Sequence, residues 1–74
     1  MEKINEIIAK TFKIALEEAT KNLEMKDVDR WDSLSHMDLI VAIEEEFNIQ
    51  LSGDDIAEMI TLDNVRRIVK NYIS

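Results

Sequence analysis

Residues 31–47 of the chain read WDSLSHMDLIVAIEEEF, and this stretch decides the fold. Asp32 or Ser33 can cap the N-terminus of a helix there, because a short polar side chain accepts hydrogen bonds from free backbone N–H groups. Behind the cap, apolar residues recur at intervals of three and four, which places them on one helical face. The stretch therefore predicts a helix from Leu34 to about Phe47. Its apolar stripe comprises Leu39, Ile40, Ile43 and Phe47.

The chain before this stretch divides into a first helix and a long connection. The first helix begins at Met1 and ends near Phe12 or Leu16, where no Gly or Pro marks a stop. Its apolar face comprises Ile4, Ile7, Ile8, Phe12 and Ala15. Periodicity fades from about Glu17 to Trp31, so we predict a long loop that apolar anchors pin over the core. These anchors are Leu23, Met25, Val28 and Trp31.

The chain after this stretch predicts a short helix and a last long one. A turn signal at residues 52–53 leads into one or two helical turns over residues 54–59. Thr61 then caps a last helix over residues 62–73. Its apolar face comprises Leu62, Val65, Ile68, Val69, Tyr72 and Ile73, and its residues facing water are Arg66, Arg67 and Lys70.

The predicted architecture is all-α, with three longer helices, one short third helix and a long first loop. The 74 residues form one domain, 1–74, and a domain of this size must bury nearly every large apolar side chain. The near absence of Gly and Pro also favours helices over a turn-rich β-fold. The predicted core residues are Phe12, Leu39, Ile43, Phe47, Ile49, Met59, Val65 and Ile68.

The formal net charge of −7 is distributed unevenly. Residues 27–63 contain eleven acidic side chains and one basic one, Arg30. This balance excludes nucleic acid as a partner and favours proteins with a basic surface, although acids also serve solubility alone. The chain has no apolar run of membrane-spanning length and no signal peptide pattern. We therefore predict a cytoplasmic protein that does not enter a membrane. Nothing in the sequence indicates a stable oligomer, so we also predict a monomer.

Cysteine is absent from the chain. No disulfide or thiolate metal site can form, and any thioester chemistry needs sulfur from an added group. Acids at 27, 29 and 38 have the spacing of a calcium loop, but Asp32 stands where that loop needs Gly. We predict no metal site, and only weak cation binding to the acidic middle of the chain stays open, because it would relieve self-repulsion.

The motif Asp32-Ser33-Leu34, followed by an acidic helix that ends in EEEF, resembles the phosphopantetheine attachment motif of the acyl carrier protein family. The resemblance extends over nearly the whole chain, including Ala19-Thr20 in the first loop and Thr61-Leu62 at the last helix. The Trp before the motif resembles a specialised subset of carriers of the W-D-S-L type.

The resemblance implies that a phosphopantetheinyl transferase attaches 4′-phosphopantetheine from coenzyme A to Ser33, with Asp32 helping that enzyme dock or contacting its Mg²⁺. Leu34 completes the motif. It implies a non-catalytic carrier of acyl thioesters in fatty-acid, polyketide or related biosynthesis. It also implies that a medium-length acyl chain lodges partly between the second and third helices. The alternatives are an aminoacyl or peptidyl carrier, and an acidic helical interaction module without a prosthetic group.

Partner enzymes that transfer or activate acyl groups are expected to bind the outer face of the second helix through basic surfaces. Helical spacing places apolar and acidic side chains together on this face. The predicted partner-binding residues are Leu34, Met37, Asp38, Val41, Glu44, Glu45 and Met59. Met37 and Val41 could instead border the core.

Three residues of the motif region have simpler interpretations. Ser33 could serve only as a helix cap. Trp31 is expected to cover the core while its N–H finds water or a carbonyl. His36, three residues after Ser33, could form a Ser–His pair, but no oxyanion site or cleft accompanies it. We therefore predict that His36 is an exposed helix residue.

Overall fold

The computed structural model describes residues 2–73, and these form five α-helices, three long and two short. The helices are α1 (Glu2–Phe12), α2 (Leu16–Ala19), α3 (Ser33–Phe47), α4 (Gly53–Glu58) and α5 (Leu62–Ile73). The all-α prediction is confirmed, and four helices lie where the sequence predicts them. The prediction of an unbroken first loop needs correction, because it contains α2 and a 3-10 turn, Met25–Asp27.

Two of the long helices end at residues with left-handed backbone conformation, and neither residue is Gly. Lys13 has φ 56° after α1, and Asn48 has φ 55° after α3. In both cases the next N–H bonds back five residues, from Ile14 to the Ala9 carbonyl and from Ile49 to the Glu44 carbonyl. This is the Schellman arrangement, and it fixes the end of α1 at Phe12 rather than at Leu16.

The connection between α1 and α3 is attached to the start of α5 by backbone hydrogen bonds. The Leu62 N–H donates to the Leu23 carbonyl at 2.9 Å, and the Met25 N–H donates to the Ile60 carbonyl at 3.0 Å. Val28 and Trp31 are buried, whereas Leu23 and Met25 are partly buried against the core. The predicted anchoring of this loop is confirmed.

Arg66 also ties this connection to α5, contrary to the prediction that it faces water. Its guanidinium donates to the Ala19 carbonyl at 2.8 Å, the Lys21 carbonyl at 3.0 Å and Asn5 Oδ1 at 3.1 Å. It also pairs with Asp63 at 2.9 Å. A planar fork of five N–H donors suits this role, because it can bind several acceptors at once.

The core lies between α1, α3 and α5, and the loop covers one side. Six of the eight predicted core residues are buried, and the other two, Phe47 and Ile49, are partly buried against them. Tyr72 and Ile73, predicted on the apolar face of α5, are exposed instead, and so is Ala15. The buried residues are Ile4, Ile8, Phe12, Ala19, Val28, Trp31, Leu39, Ile40, Ile43, Leu51, Met59, Leu62, Val65, Ile68 and Val69.

The two C-terminal helices have side-chain caps at their starts. The Ser52 hydroxyl accepts the Asp55 N–H at 3.1 Å before α4, and the Thr61 hydroxyl accepts the Asn64 N–H at 3.1 Å before α5. The predicted role of Thr61 is therefore confirmed. None of the helices described within residues 2–73 has the length and apolarity needed to cross a membrane.

Candidate functional site

The first turn of α3 is held by a reciprocal cap that does not use Ser33. Asp32 Oδ1 accepts the Ser35 backbone N–H at 2.9 Å, and Ser35 Oγ accepts the Asp32 backbone N–H at 2.8 Å. The Ser35 hydroxyl in turn donates to the Arg30 carbonyl. Of the two capping residues that the sequence leaves open, Asp32 is the one that caps α3.

Ser33 occupies the first position of α3, between the two capping side chains, and its side chain is exposed. Its hydroxyl makes no hydrogen bond with any residue in the described range 2–73. The other two serines of that range are both engaged, Ser35 in the cap of α3 and Ser52 in the cap of α4. Ser74 lies outside the described residues.

The carboxylate of Asp32 is kept ionised by its place in the cap. The Ser35 backbone N–H that donates to it lowers the pKa of Asp32 below the ordinary value of an aspartate. The start of α3 therefore carries a negative charge beside Ser33 at neutral pH. A carboxylate is stable there because the N-terminal end of a helix carries partial positive charge.

Trp31 and His36 join the loop, α3 and α4 next to this turn. Trp31 is buried and stacks on Phe12 with a centroid distance of 4.8 Å, so its predicted role in the core is confirmed. Its Nε1–H donates to His36 Nδ1 at 3.0 Å, rather than to water or a carbonyl. His36 Nε2 lies 3.0 Å from the Ile56 carbonyl oxygen of α4.

The prediction that His36 is an exposed helix residue is wrong, because its side chain is partly buried by these contacts. They also remove the Ser–His pair, since both ring nitrogens of His36 already have partners other than Ser33. A nucleophilic serine needs a free base nitrogen, and none is available here.

The outer face of α3 exposes three large apolar side chains among acids. Leu34 is 80% exposed, Met37 50% and Val41 48%, so none of them belongs to the core. Asp38 and Glu45 are exposed as well. An exposed patch of this kind, apolar and rimmed by charge, is typical of a surface for protein partners.

Two residues predicted for this face behave differently. Met59 is fully buried, so its predicted contact with partners is wrong, and only its predicted place in the core stands. Its neighbour Ile60 is 51% exposed instead. Glu44 is partly buried, and its Oε2 accepts the Leu51 N–H at 2.8 Å, which ties the loop after α3 to the helix.

The acidic side chains of residues 27–63 lie mostly at the surface. Nine of the eleven are exposed, and Glu44 and Asp55 are partly buried. Two of these acids form ion pairs within the described residues, Glu46 with Lys3 at 3.9 Å and Asp63 with Arg66 at 2.9 Å. Exposed acids therefore flank the start of α3 in sequence, with Asp29 and Asp32 before Ser33 and Asp38 after it.

Comparison with known proteins agrees with this geometry. The family model described as "Phosphopantetheine attachment site" matches residues 2–70. This chain belongs to that family. It is also similar to proteins named acyl carrier protein. That of Buchnera aphidicola subsp. Schizaphis graminum is 36% identical over 93% of this chain and 87% of the relative.

Two further acyl carrier proteins are similar over most of their length. The protein of Buchnera aphidicola subsp. Baizongia pistaciae is 32% identical over 96% of this chain and 91% of its own. The protein of Nitratidesulfovibrio vulgaris strain Miyazaki F is 31% identical over 95% of this chain and 92% of its own length. The group that the phosphopantetheine attachment family carries is a covalently bound 4′-phosphopantetheine.

The residues at the start of α3 fit such a group. An exposed hydroxyl without a hydrogen-bonding task can become a phosphodiester without breaking the fold. The new negative charge would lie at the N-terminal end of a 15-residue helix, where it is favoured. The group also brings the thiol that a chain without cysteine lacks.

Sequence reasoning missed His36 and Ile60 as features of this region. His36 contacts a carbonyl twenty residues later in the chain, and no periodic pattern signals such a contact. Ile60 lies outside any helix, in the short segment before α5, so helical spacing does not predict its exposure.

Proposed function

We propose that this protein is a carrier whose 4′-phosphopantetheine arm is attached to Ser33 and whose cargo is an acyl intermediate held as a thioester. The observation that carries the proposal is the contrast among the described serines. Ser35 and Ser52 use their hydroxyls as acceptors of backbone N–H groups, whereas the exposed Ser33 hydroxyl has no partner within residues 2–73.

Loading transfers phosphopantetheine from coenzyme A to Ser33. The Ser33 Oγ gives up its proton to a base and forms a bond to phosphorus, while a phosphorus–oxygen bond in the pyrophosphate of coenzyme A breaks and adenosine 3′,5′-bisphosphate leaves. The resulting phosphodiester remains at the start of α3. We assign the base and the Mg²⁺ to a phosphopantetheinyl transferase, because both ring nitrogens of His36 are engaged and the Asp32 carboxylate is held in the cap. Asp32 both caps the helix and, we propose, contacts the transferase or its metal.

The exposed face of α3 is the proposed docking surface. Leu34, Met37 and Val41 supply apolar contact area, and Asp38 and Glu45 supply charge that attracts basic side chains. Partners of this surface are the transferase and the enzymes that transfer or activate acyl groups. Docking of this kind is transient, because the patch is small and its charges stay hydrated.

Fatty-acid, polyketide or related biosynthesis is the proposed setting, with the carrier itself non-catalytic. The occupied ring nitrogens of His36 support the absence of catalysis, because they leave Ser33 without a base. The cytoplasmic location and the monomeric state stay predictions. So does the lodging of an acyl chain between α3 and α4, the two helices that the contact between His36 and Ile56 joins.

The test is incubation with coenzyme A, Mg²⁺ and a phosphopantetheinyl transferase of broad specificity, followed by intact-mass measurement. We expect a gain of one phosphopantetheine in the wild type, no gain in Ser33→Ala, and a full gain in the matched control Ser52→Ala. A wild type that gains no mass favours the interaction module without a prosthetic group. Loading of the holo form by amino-acid-activating enzymes alone would favour the aminoacyl carrier.

A further inference from the structure

The His36 ring links three elements beside the first turn of α3. It belongs to the first turn of α3, accepts from Trp31 in the loop, and contacts the Ile56 carbonyl in α4. Among residues 2–73, no other side chain of α3 makes a hydrogen bond with α4. The cap of α3 does not involve His36, and the carrier chemistry proposed above does not use it.

The partners of the ring determine its tautomer. Trp31 Nε1 is a donor only, so His36 Nδ1 has to accept and carries no hydrogen. The hydrogen of the neutral ring is then on Nε2, where it donates to the Ile56 carbonyl at 3.0 Å. Both bonds are made in the same protonation state, and they hold the ring in one orientation.

Helix α4 needs such an attachment because it is short. It has six residues, fewer than the number at which a helix is stable alone. On the α5 side it is held by Tyr72, whose hydroxyl donates to Asp55 Oδ2 at 2.5 Å and accepts the Ser52 N–H at 3.3 Å. On the α3 side, the polar attachment is His36.

We propose that His36 is a positioning residue for the modification of Ser33. Its ring holds the loop at Trp31 and the helix α4 in fixed places beside the first turn of α3. An enzyme that approaches the Ser33 hydroxyl therefore meets a preformed surface and does not have to order it during binding. This proposal rests on the carrier function proposed above. It adds that modification of Ser33 depends on the position of α4, which His36 fixes.

The two bonds of the ring can be separated by substitution. In His36→Asn, the amide oxygen lies near the place of Nδ1 and can still accept from Trp31. In His36→Gln, the longer side chain reaches toward the place of Nε2 and can still donate to Ile56. His36→Phe keeps the ring shape and removes both bonds. Thr20→Val is the matched control, because it removes one side-chain hydrogen bond, from the Thr20 hydroxyl to the Glu17 carbonyl in α2, and leaves the His36 bonds and α4 intact.

The experiment measures transferase kinetics with each variant as substrate, at a temperature where circular dichroism shows all of them folded. We expect the KM for the carrier to rise roughly fivefold for each lost bond, so that His36→Phe is affected most, while kcat stays within about a factor of two. His36→Asn and His36→Gln should each show a smaller rise in KM than His36→Phe, and Thr20→Val should retain the wild-type KM.

Fluorescence provides a second readout, because Trp31 is the single tryptophan. Its emission should change in His36→Phe and His36→Gln, which lose its acceptor, and stay unchanged in His36→Asn. A folded His36→Phe with wild-type KM would overturn the positioning role and leave the carrier function standing. A wild type that gains no mass would overturn both.

Discussion

Asp32 and Ser35 cap one another across the first turn of α3, with hydrogen bonds of 2.9 and 2.8 Å. Ser33 lies between them and takes no part. Because its neighbours satisfy the Asp32 and Ser35 N–H groups, the Ser33 hydroxyl has no capping role and is available for chemistry without cost to the helix. The side chains that stabilise the first turn are therefore different from the one that we propose is modified.

The charge of Asp32 should stabilise the fold in a pH-dependent way. The Ser35 N–H lowers the pKa of Asp32 in the folded protein, so the ionised carboxylate stabilises the fold above the ordinary aspartate pKa of about 4. That stabilisation is lost as the pH falls through the lowered folded value. We expect Asp32→Asn to melt below the wild type at pH 7, with the gap closing below about pH 4. A gap that persists unchanged in acid would contradict this account.

Arg66 should contribute to stability through its geometry as well as its charge. Lysine keeps the charge but cannot reach the Ala19 and Lys21 carbonyls together, so Arg66→Lys should lower the free energy of unfolding by about 2 kcal/mol. The control is the exposed Arg67, whose guanidinium donates to Asn64 Oδ1 at 3.3 Å and to no other residue within 2–73. Urea titrations measure both, and an Arg67→Lys change as large as that of Arg66→Lys would refute the role.

The ends of α1 and α3 should accept glycine. Lys13 and Asn48 have φ values of 56° and 55°, which glycine adopts without steric cost. We expect Lys13→Gly to raise the free energy of unfolding by up to about 1 kcal/mol, and Asn48→Ala to lower it by about the same amount. Thermal melts test the two signs. A destabilised Lys13→Gly would show that the Lys13 side chain outweighs its backbone strain.

Part of this fold follows from the sequence because its signals are local. The caps at Asp32 and Thr61 are short polar residues before apolar periodicity, and the long helices extend over enough turns for that periodicity to be visible. The candidate attachment residue Ser33 comes from the same local motif. These features depend on residues within a few positions of one another.

Other features depend on contacts between distant parts of the chain. The helix α2 has four residues, too few to show a period. Arg66 binds carbonyls more than forty residues away, and His36 binds one in α4. Met59 is buried and Ile60 is exposed because the backbone beyond α4 decides which of the two side chains turns inward.

Charge reversal on the exposed face of α3 should weaken the interaction with the transferase more than the same charge reversal on α1. Asp38→Lys places a basic side chain on the exposed face of α3, whereas Glu6→Lys makes the same change of net charge on α1. We expect Asp38→Lys to raise the KM for the transferase several-fold more than Glu6→Lys. The difference should shrink as ionic strength rises above about 0.15 M, because salt screens exposed charges. Equal effects of the two variants would show that net charge alone governs docking.

The most direct test of the central claim is the location of the added group. Tandem mass spectrometry of the protein after incubation with coenzyme A and a transferase assigns the modified side chain. If Ser33 is the attachment site, all of the added phosphopantetheine will be on Ser33. Its appearance on Ser35 or Ser52, or its absence from the chain, would contradict it.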